Sequence, residues 1–400
     1  MIQTNEETVR ILGDFCMSNQ HSSSVHAYDV LQQLRNVNPP FLNTMTKVGK
    51  DGRGGLGVFA CGGIPAGSLI LVEHPVVTLL DTELASSVYD GTDGGDSLCI
   101  LSKIAQNFDS VLEFSLNKLF PIREGISYEL DASVSFDVSN ELGAKLPSSM
   151  SVGSVHRAVQ LNSLGYYTFP ELCNYNDHLR FLSGTGIYQT ASMFNHSCDP
   201  NVHHYSFGDV ALFRTIRSVS AGEELFITYI GRDLLCETKS IRDEFLGDRD
   251  FVCKCSKCLI PELEDPWKEE LDLQSRIAIN MAPTNEARLF LLRSLLNSVD
   301  YVTRDRIKLE FQIRRLTGAE NAELWLDLIA AIPRNDFLSV VVQMHYMVQT
   351  GFDEELGRAI VEQTELCLGA KSALRLFEFT DFPPASEMHA SFIDVYSKIR

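Results

Sequence analysis

Three cysteines crowd into six positions, Cys253-Lys254-Cys255-Ser256-Lys257-Cys258, and no other feature constrains the chain as tightly. Three thiols within one turn of chain suit tetrahedral zinc and leave a fourth ligand to be found elsewhere. Ten cysteines in 400 residues are too few for a disulfide scaffold, so clustered thiols point to metal. The best fourth ligand is Cys198, inside Phe194-Asn195-His196-Ser197-Cys198-Asp199-Pro200-Asn201. His203 and His204 are alternatives, for which surface or packing roles are favoured. An ion joining Cys198 to Cys253, 55 residues further on, would close a long loop and add folding energy. It needs no open coordination position and would be structural.

Thiolate ligation belongs in a reducing compartment. No apolar run reaches the roughly 18 residues that a membrane span requires. The opening MIQTNEETVRILGDF carries acids where a secretory signal carries bases. The expectation is an intracellular chain, cytoplasmic and/or nuclear, without a membrane partner; no basic run stands out as a nuclear address. With 34 Lys and Arg against 53 Asp and Glu, the net charge is −19. That charge repels phosphate backbones and disfavours direct nucleic-acid binding, but would attract a lysine-rich protein tail.

Four hundred residues with 44% hydrophobic content exceed one ordinary core and imply two or three packed units. Thr4 and Glu7 have capping-box spacing, and Val9, Leu12 and Phe15 follow at helical intervals. A second helical pattern runs to about Leu34 and stops before Pro39, which makes residues 1–45 an N-terminal helical segment. From Lys50, GRGGLGVFA and IPAGSLILVEHPVVTLL read as a glycine turn and short strands, residues 46–80. Residues 81–154 mix turns with helical stretches such as Leu98 to Phe120 and look inserted. Strands return in VALFRTI and ELFITYI within residues 155–260, so the small-sheet domain is split. Residues 261–400 read as about six helices, with Pro266 at a start and Gly318, Gly351 and Gly369 at ends. Trp325, Phe337 and Phe352 are expected in that domain's core, and no clean 34-residue repeat is present.

FNHSCDPN, GEELFITY and CKCSKC, in this order, resemble the SET-domain lysine methyltransferases. GRGGLGVFA and Gly186-Ile187-Tyr188 match outer parts of the same domain, so the likeness covers about Lys50 to Leu259 with an interruption. The cysteine ending, the cysteine inside the octet and the helical C-terminal region are similar to the SET-and-MYND branch. Two departures stand out. Only Cys99 lies between Val77 and Ser154, so the MYND zinc finger is missing, and Arg249 stands where relatives often place an aromatic residue near the lysine channel.

The resemblance implies an α+β SET fold with a threaded active-site segment and a helical, TPR-like C-terminal domain. It implies S-adenosyl-L-methionine-dependent methylation of a lysine in a protein substrate, a histone tail or another, by a monomer with structural zinc. Such a transfer is an in-line displacement that needs a deprotonated amine and close alignment. By the resemblance, Asn195 and His196 bind the cofactor, Asn195 through its amide and His196 mostly through backbone groups. Ser192 and Asn162 match other cofactor-contacting positions, and Gly55, Leu56 and Gly57 let backbone approach the cofactor. Tyr229 matches the catalytic tyrosine lining the cleft between cofactor and lysine, and Phe251 the residue that packs on the adenine. Zinc on Cys198, Cys253, Cys255 and Cys258 would tether that segment. The rival expectation is a catalytically silent SET module acting as an interaction scaffold. A small-molecule or DNA methyltransferase is disfavoured by the missing glycine-rich βα loop and by the acidic charge.

Overall fold

The computed structural model describes residues 6–17, 24–85, 87, 95–167, 181–231, 239–249, 251–259, 277–279, 281–298, 343 and 353–369. The chain divides into two compact units. The first comprises Met1–Asn195, Val202–Leu225 and Leu368–Phe382; the second comprises His196–Asn201, Phe226–Cys367 and Pro383–Arg400.

In the first unit, helices α1 (Glu6–Met17) and α2 (Ser24–Val37) form where apolar residues recur at helical spacing. Val9, Leu12 and Phe15 on one helix and Val30, Leu31 and Leu34 on the other are buried. The side chains of Thr8 and Asn38 hydrogen-bond across the pair, Asn38 Nδ2 donating at 3.0 Å. Arg35 on α2 forms an ion pair with the fully buried Asp209. Because Asp209 lies in the turn between β9 (Val202–Phe207) and β10 (Val210–Thr215), this pair ties the N-terminal helices to the strands.

Strands β1 (Phe41–Leu42), β2 (Thr46–Lys50), β3 (Leu56–Ala60), β4 (Leu69–Glu73) and β5 (Val77–Leu80) precede the helical insert. One sheet has the order β1-β4-β10-β9. A second has the order β2-β3-β11-β8, with β8 at Asn195–His196 and β11 at Glu224–Ile227. A third joins β5-β7-β6, with β6 at Ser163–Tyr166 and β7 at Gly184–Ile187. Glu224 stands opposite Phe59 and Leu225 opposite Val58, which brings the end of the GEEL motif against the strand after the glycine turn.

The insert carries α3 (Asp81–Leu84), α4 (Gly95–Asn107), α5 (Ser110–Leu116), α6 (Phe136–Gly143) and α7 (Val152–Asn162). The expected helical stretch from Leu98 to Phe120 is broken, because Asp109 is extended and its carboxylate accepts the Leu112 amide at 2.8 Å as an N-cap. Ser135 and Ser151 cap α6 and α7 in the same way. Ile100, Leu101, Ile104, Leu142, Val155 and Val159 pack in one core that also takes Leu79 and Ile187 from the third sheet. These helices therefore share a core with the strands on either side of them.

In the second unit, α8 (Lys239–Leu246) precedes the cysteine trio. Further along the chain lie α9 (Asn285–Ser298) and α10 (Glu354–Leu368). Gly369, with φ +72°, follows the end of α10, as its composition predicts. Thr4, Pro266, Gly318, Gly351, Trp325, Phe337 and Phe352 lie outside the described residues, and so does most of the expected helical array. No described helix is long and apolar enough to cross a membrane.

Candidate functional site

In the first unit, β2 and β3 are joined by Asp51-Gly52-Arg53-Gly54-Gly55, where Gly52 (φ +73°) and Gly54 (φ +102°) hold left-handed conformations that side chains resist. Asp51 Oδ1 accepts the amides of Arg53 at 2.8 Å and Gly55 at 2.9 Å. Asn195 Nδ2 donates to Leu56 O at 2.9 Å and to Glu224 Oε1 at 2.7 Å, and lies 3.3 Å from Asp51 Oδ2. Arg53 reaches over the pair, with Nη2 3.0 and 3.1 Å from the two Glu224 oxygens and Nε 3.2 Å from Asp51 Oδ2. Burial raises the Glu224 pKa, and the Asn195 hydrogen bond and Arg53 oppose that only in part. Asp51 is lowered despite its burial, because the amides of Arg53 and Gly55 and the guanidinium favour the carboxylate.

Gly57 sits beneath this group. A Cβ there would overlap Glu224 Oε1 and stand 3.1 Å from Asn195 Nδ2. Gly57→Ala should therefore push the carboxylate off the amide and cost about 2 kcal/mol, within the range for overpacking. Urea denaturation measures that loss, and a variant as stable as the parent would show that Glu224 moves aside freely.

Two other expected cofactor residues are engaged in bracing. Asn162 Nδ2, at the end of α7, donates to Phe120 O at 2.6 Å and Ala158 O at 2.7 Å. Ser192, in the short turn Ala191–Met193, donates its hydroxyl to Tyr188 O. The Thr190 and Ala191 amides donate at 2.8 Å to the half-buried Glu73 carboxylate, whose pKa desolvation nevertheless raises. His203 and His204 lie on β9, their rings stacked on Tyr205 and Phe213 at 5.5 and 5.6 Å, so both serve packing.

In the second unit, the sulfurs of Cys198, Cys253, Cys255 and Cys258 all lie within 4.8 Å of one another. Cys198 Sγ is 3.9 Å from Cys253 Sγ and 3.6 Å from Cys258 Sγ. A tetrahedron with Zn–S bonds of about 2.3 Å has edges of about 3.8 Å, so this thiol set fits zinc. The chain doubles back through hydrogen bonds from the Cys258 and Leu259 amides to Cys255 O, at 3.0 and 3.1 Å. Packed this closely, thiolates repel one another. Cys255 is lowered by hydrogen bonds from Cys198 and Cys253, while Cys198 is raised by its bonds to Cys253 and Cys255. A divalent ion removes that conflict.

Beside the sulfurs are three aromatic rings. His196 is centred 5.4 Å from Tyr229 and 6.0 Å from Phe251, and Tyr229 meets Phe251 edge-on at 6.2 Å. The Tyr229 amide donates to His196 Nδ1 at 3.0 Å. In a neutral ring that leaves the proton on Nε2, 3.3 Å from Cys198 Sγ. Burial, with help from Arg242 and Arg249 and against Cys255, pulls the His196 pKa down to about 4 and keeps it neutral. The imidazole thus links the tyrosine backbone to a cysteine of the thiol set. The Ser197 amide donates to Ile227 O at 2.9 Å and the Phe226 amide to Asn201 Oδ1 at 2.7 Å, lacing the octet to the end of β11, two residues before Tyr229. Arg249 lies over the Tyr229 ring at 5.4 Å, so the residue replacing an expected aromatic stacks on the tyrosine.

Sequence reasoning singled out neither Asp51, Arg53 nor Arg242. The only trace of the first two is a pair of opposite charges flanking a glycine turn.

The SET domain family matches residues 55–230. A SET domain-containing protein, L678, of Acanthamoeba polyphaga mimivirus is 25% identical over 241 residues, which cover 56% of this chain and 84% of that protein. The histone-lysine N-methyltransferase SMYD3 of Mus musculus is 35% identical over 94 residues, 22% of each chain. The N-lysine methyltransferase SMYD2 of Gallus gallus is 29% identical over 167 residues, 42% of this chain and 35% of that protein. The matched stretches thus span well under half the length of these two methyltransferases. Among solved structures, the SET domain of LSMT bound to lysine and AdoHcy overlaps 88% of this chain and 92% of that one, with 14% identity and a TM-score of 0.32.

Proposed function

This chain carries a SET domain over residues 55–230 and resembles the SMYD proteins, and from that premise we propose that it is an S-adenosylmethionine-dependent protein-lysine N-methyltransferase. The observation that carries the reading is the His196, Tyr229 and Phe251 trio laced to four metal-ready sulfurs. SMYD2 and SMYD3, named as lysine methyltransferases, support it.

S-adenosylmethionine, when bound, supplies an electrophilic methyl on a sulfonium. Its amino-acid end is a zwitterion, and the donor set in the glycine turn fits one: Asp51 and Glu224 carboxylates for an ammonium, Arg53 for a carboxylate. Asn195 holds the two acids in register, and Gly55, Leu56 and Gly57 offer backbone where a larger residue at Gly57 would intrude. Ser192 and Asn162 act through the turn they brace. The Tyr229 hydroxyl accepts from or donates to the lysine amine and aligns it, while the faces of Tyr229 and Phe251 favour the cationic groups on both sides of the reaction. Zinc on Cys198, Cys253, Cys255 and Cys258 would leave no coordination position for substrate, so its part is to hold the trio in place. The net charge of −19 suits a lysine-rich substrate, such as a histone tail, and thiolate ligation suits the cytoplasm or nucleus.

The test is transfer of radiolabelled methyl from S-adenosylmethionine to a panel of lysine-containing proteins that includes histones. Label on lysine is the expected result. Cofactor binding without label on any substrate would overturn the reading in favour of a silent interaction scaffold, the alternative that Arg249 over Tyr229 recommends.

A further inference from the structure

Arg242, on α8, is 1% exposed and heads the largest fully buried side chains of the described residues. Taking a guanidinium out of water costs several kcal/mol unless negative charge meets it. Its Nη2 lies 3.4 Å from Cys258 Sγ. That sulfur in turn lies 3.6 Å from Cys198 Sγ. Neutral thiols are weak acceptors, whereas four thiolates around a zinc ion leave a net double negative charge that favours a guanidinium beside it. The two sulfurs also come from stretches 60 residues apart in sequence. Arg242 therefore stands where the two stretches meet, with a planar fork of donors that lysine's single ammonium does not reproduce.

We propose that Arg242 is a positioning residue of the metal centre: it donates to the sulfur of Cys258, offsets half the charge of a zinc tetrathiolate, and slows loss of the ion. This rests on the zinc reading of the four cysteines. The Nε2–H of His196 is a second outer donor, to Cys198, so each of the two stretches has one ligand held from outside. Groups of this kind tune a metal site through ligand charge and orientation, and their loss typically weakens metal affinity about 10–100-fold.

The test uses the full chain and reads zinc release to a colorimetric chelator, with the sulfur-to-metal charge-transfer band of the cobalt-substituted protein as a second readout. Arg242→Met should release zinc at least about tenfold faster and shift the band, and Arg242→Lys should fall between it and the parent. Release at the parental rate from a folded Arg242→Met variant would overturn the proposal. Should that variant not fold, Arg242→Lys decides: faster release supports the proposal and parental release overturns it. A parent chain that takes up no zinc refutes the metal reading itself, a result distinct from a loaded parent whose Arg242 variants behave like it.

Discussion

Cys255→Ser should leave the chain unable to retain zinc, less stable, and unable to bind S-adenosylmethionine. The four sulfurs lie within 4.8 Å of one another, so a cation supplies the charge that lets them ionise together, and a serine hydroxyl is a poor substitute for a thiolate. Since an outer-shell change alone costs about 10–100-fold in metal affinity, removing a ligand should cost more than about 100-fold. Binding free energy at a structural zinc site is folding free energy, so the melting temperature falls with the metal. The lost cofactor affinity follows because His196, Tyr229 and Phe251 are held through Cys198 and the segment ending in the trio. Elemental analysis, thermal melting and calorimetric titration with S-adenosylmethionine check the three parts. Cys61→Ser is the control, because that exposed thiol stands outside the cluster and its loss should change none of them.

Tyr229→Phe should abolish most of the methyl transfer while leaving the metal and the fold intact. The substitution removes one hydroxyl and keeps the ring that packs edge-on against Phe251 and lies under Arg249. The hydrogen bond to His196 uses the Tyr229 backbone amide, which phenylalanine retains. Loss of one polar group aimed at a transition state typically costs about 100–1,000-fold in rate. Single-turnover measurement with radiolabelled cofactor should show a fall of about 100-fold or more, with cofactor affinity little changed. A parental rate would remove the hydroxyl from the mechanism.

The parts of this account that were legible in the sequence are those carried by short motifs. The trio and the octet cysteine are each local, and their residue types admit few uses, so their meeting could be expected before any fold was known. Tyr229 stood out by its place after the GEEL motif. Helix ends with a chemical signature, such as the glycine after Leu368, were likewise readable. The break at Asp109 was not, because apolar residues continue at helical spacing on both sides and hide the cap. The pairing of Arg53 with Glu224 joins residues 171 positions apart, and a single sequence holds no signal that couples them. Arg242 misleads for a different reason: in KSIRDEFL it reads as a solvated charge on a helix, whereas the fold buries it with Nη2 3.4 Å from Cys258 Sγ. Asn162 and Ser192, expected at the cofactor from the resemblance, place their side-chain donors on the carbonyls of Phe120, Ala158 and Tyr188, partners that a single sequence does not reveal.

The central claim is that an ion on four thiolates keeps the His196, Tyr229 and Phe251 group in the form that takes up the methyl donor. Native mass spectrometry of the intact chain, before and after chelation and with S-adenosylmethionine added, tests it most directly. The account predicts one zinc per chain, one cofactor bound to the zinc-loaded protein, and loss of both after chelation. A zinc-free chain that still takes up the cofactor would contradict it.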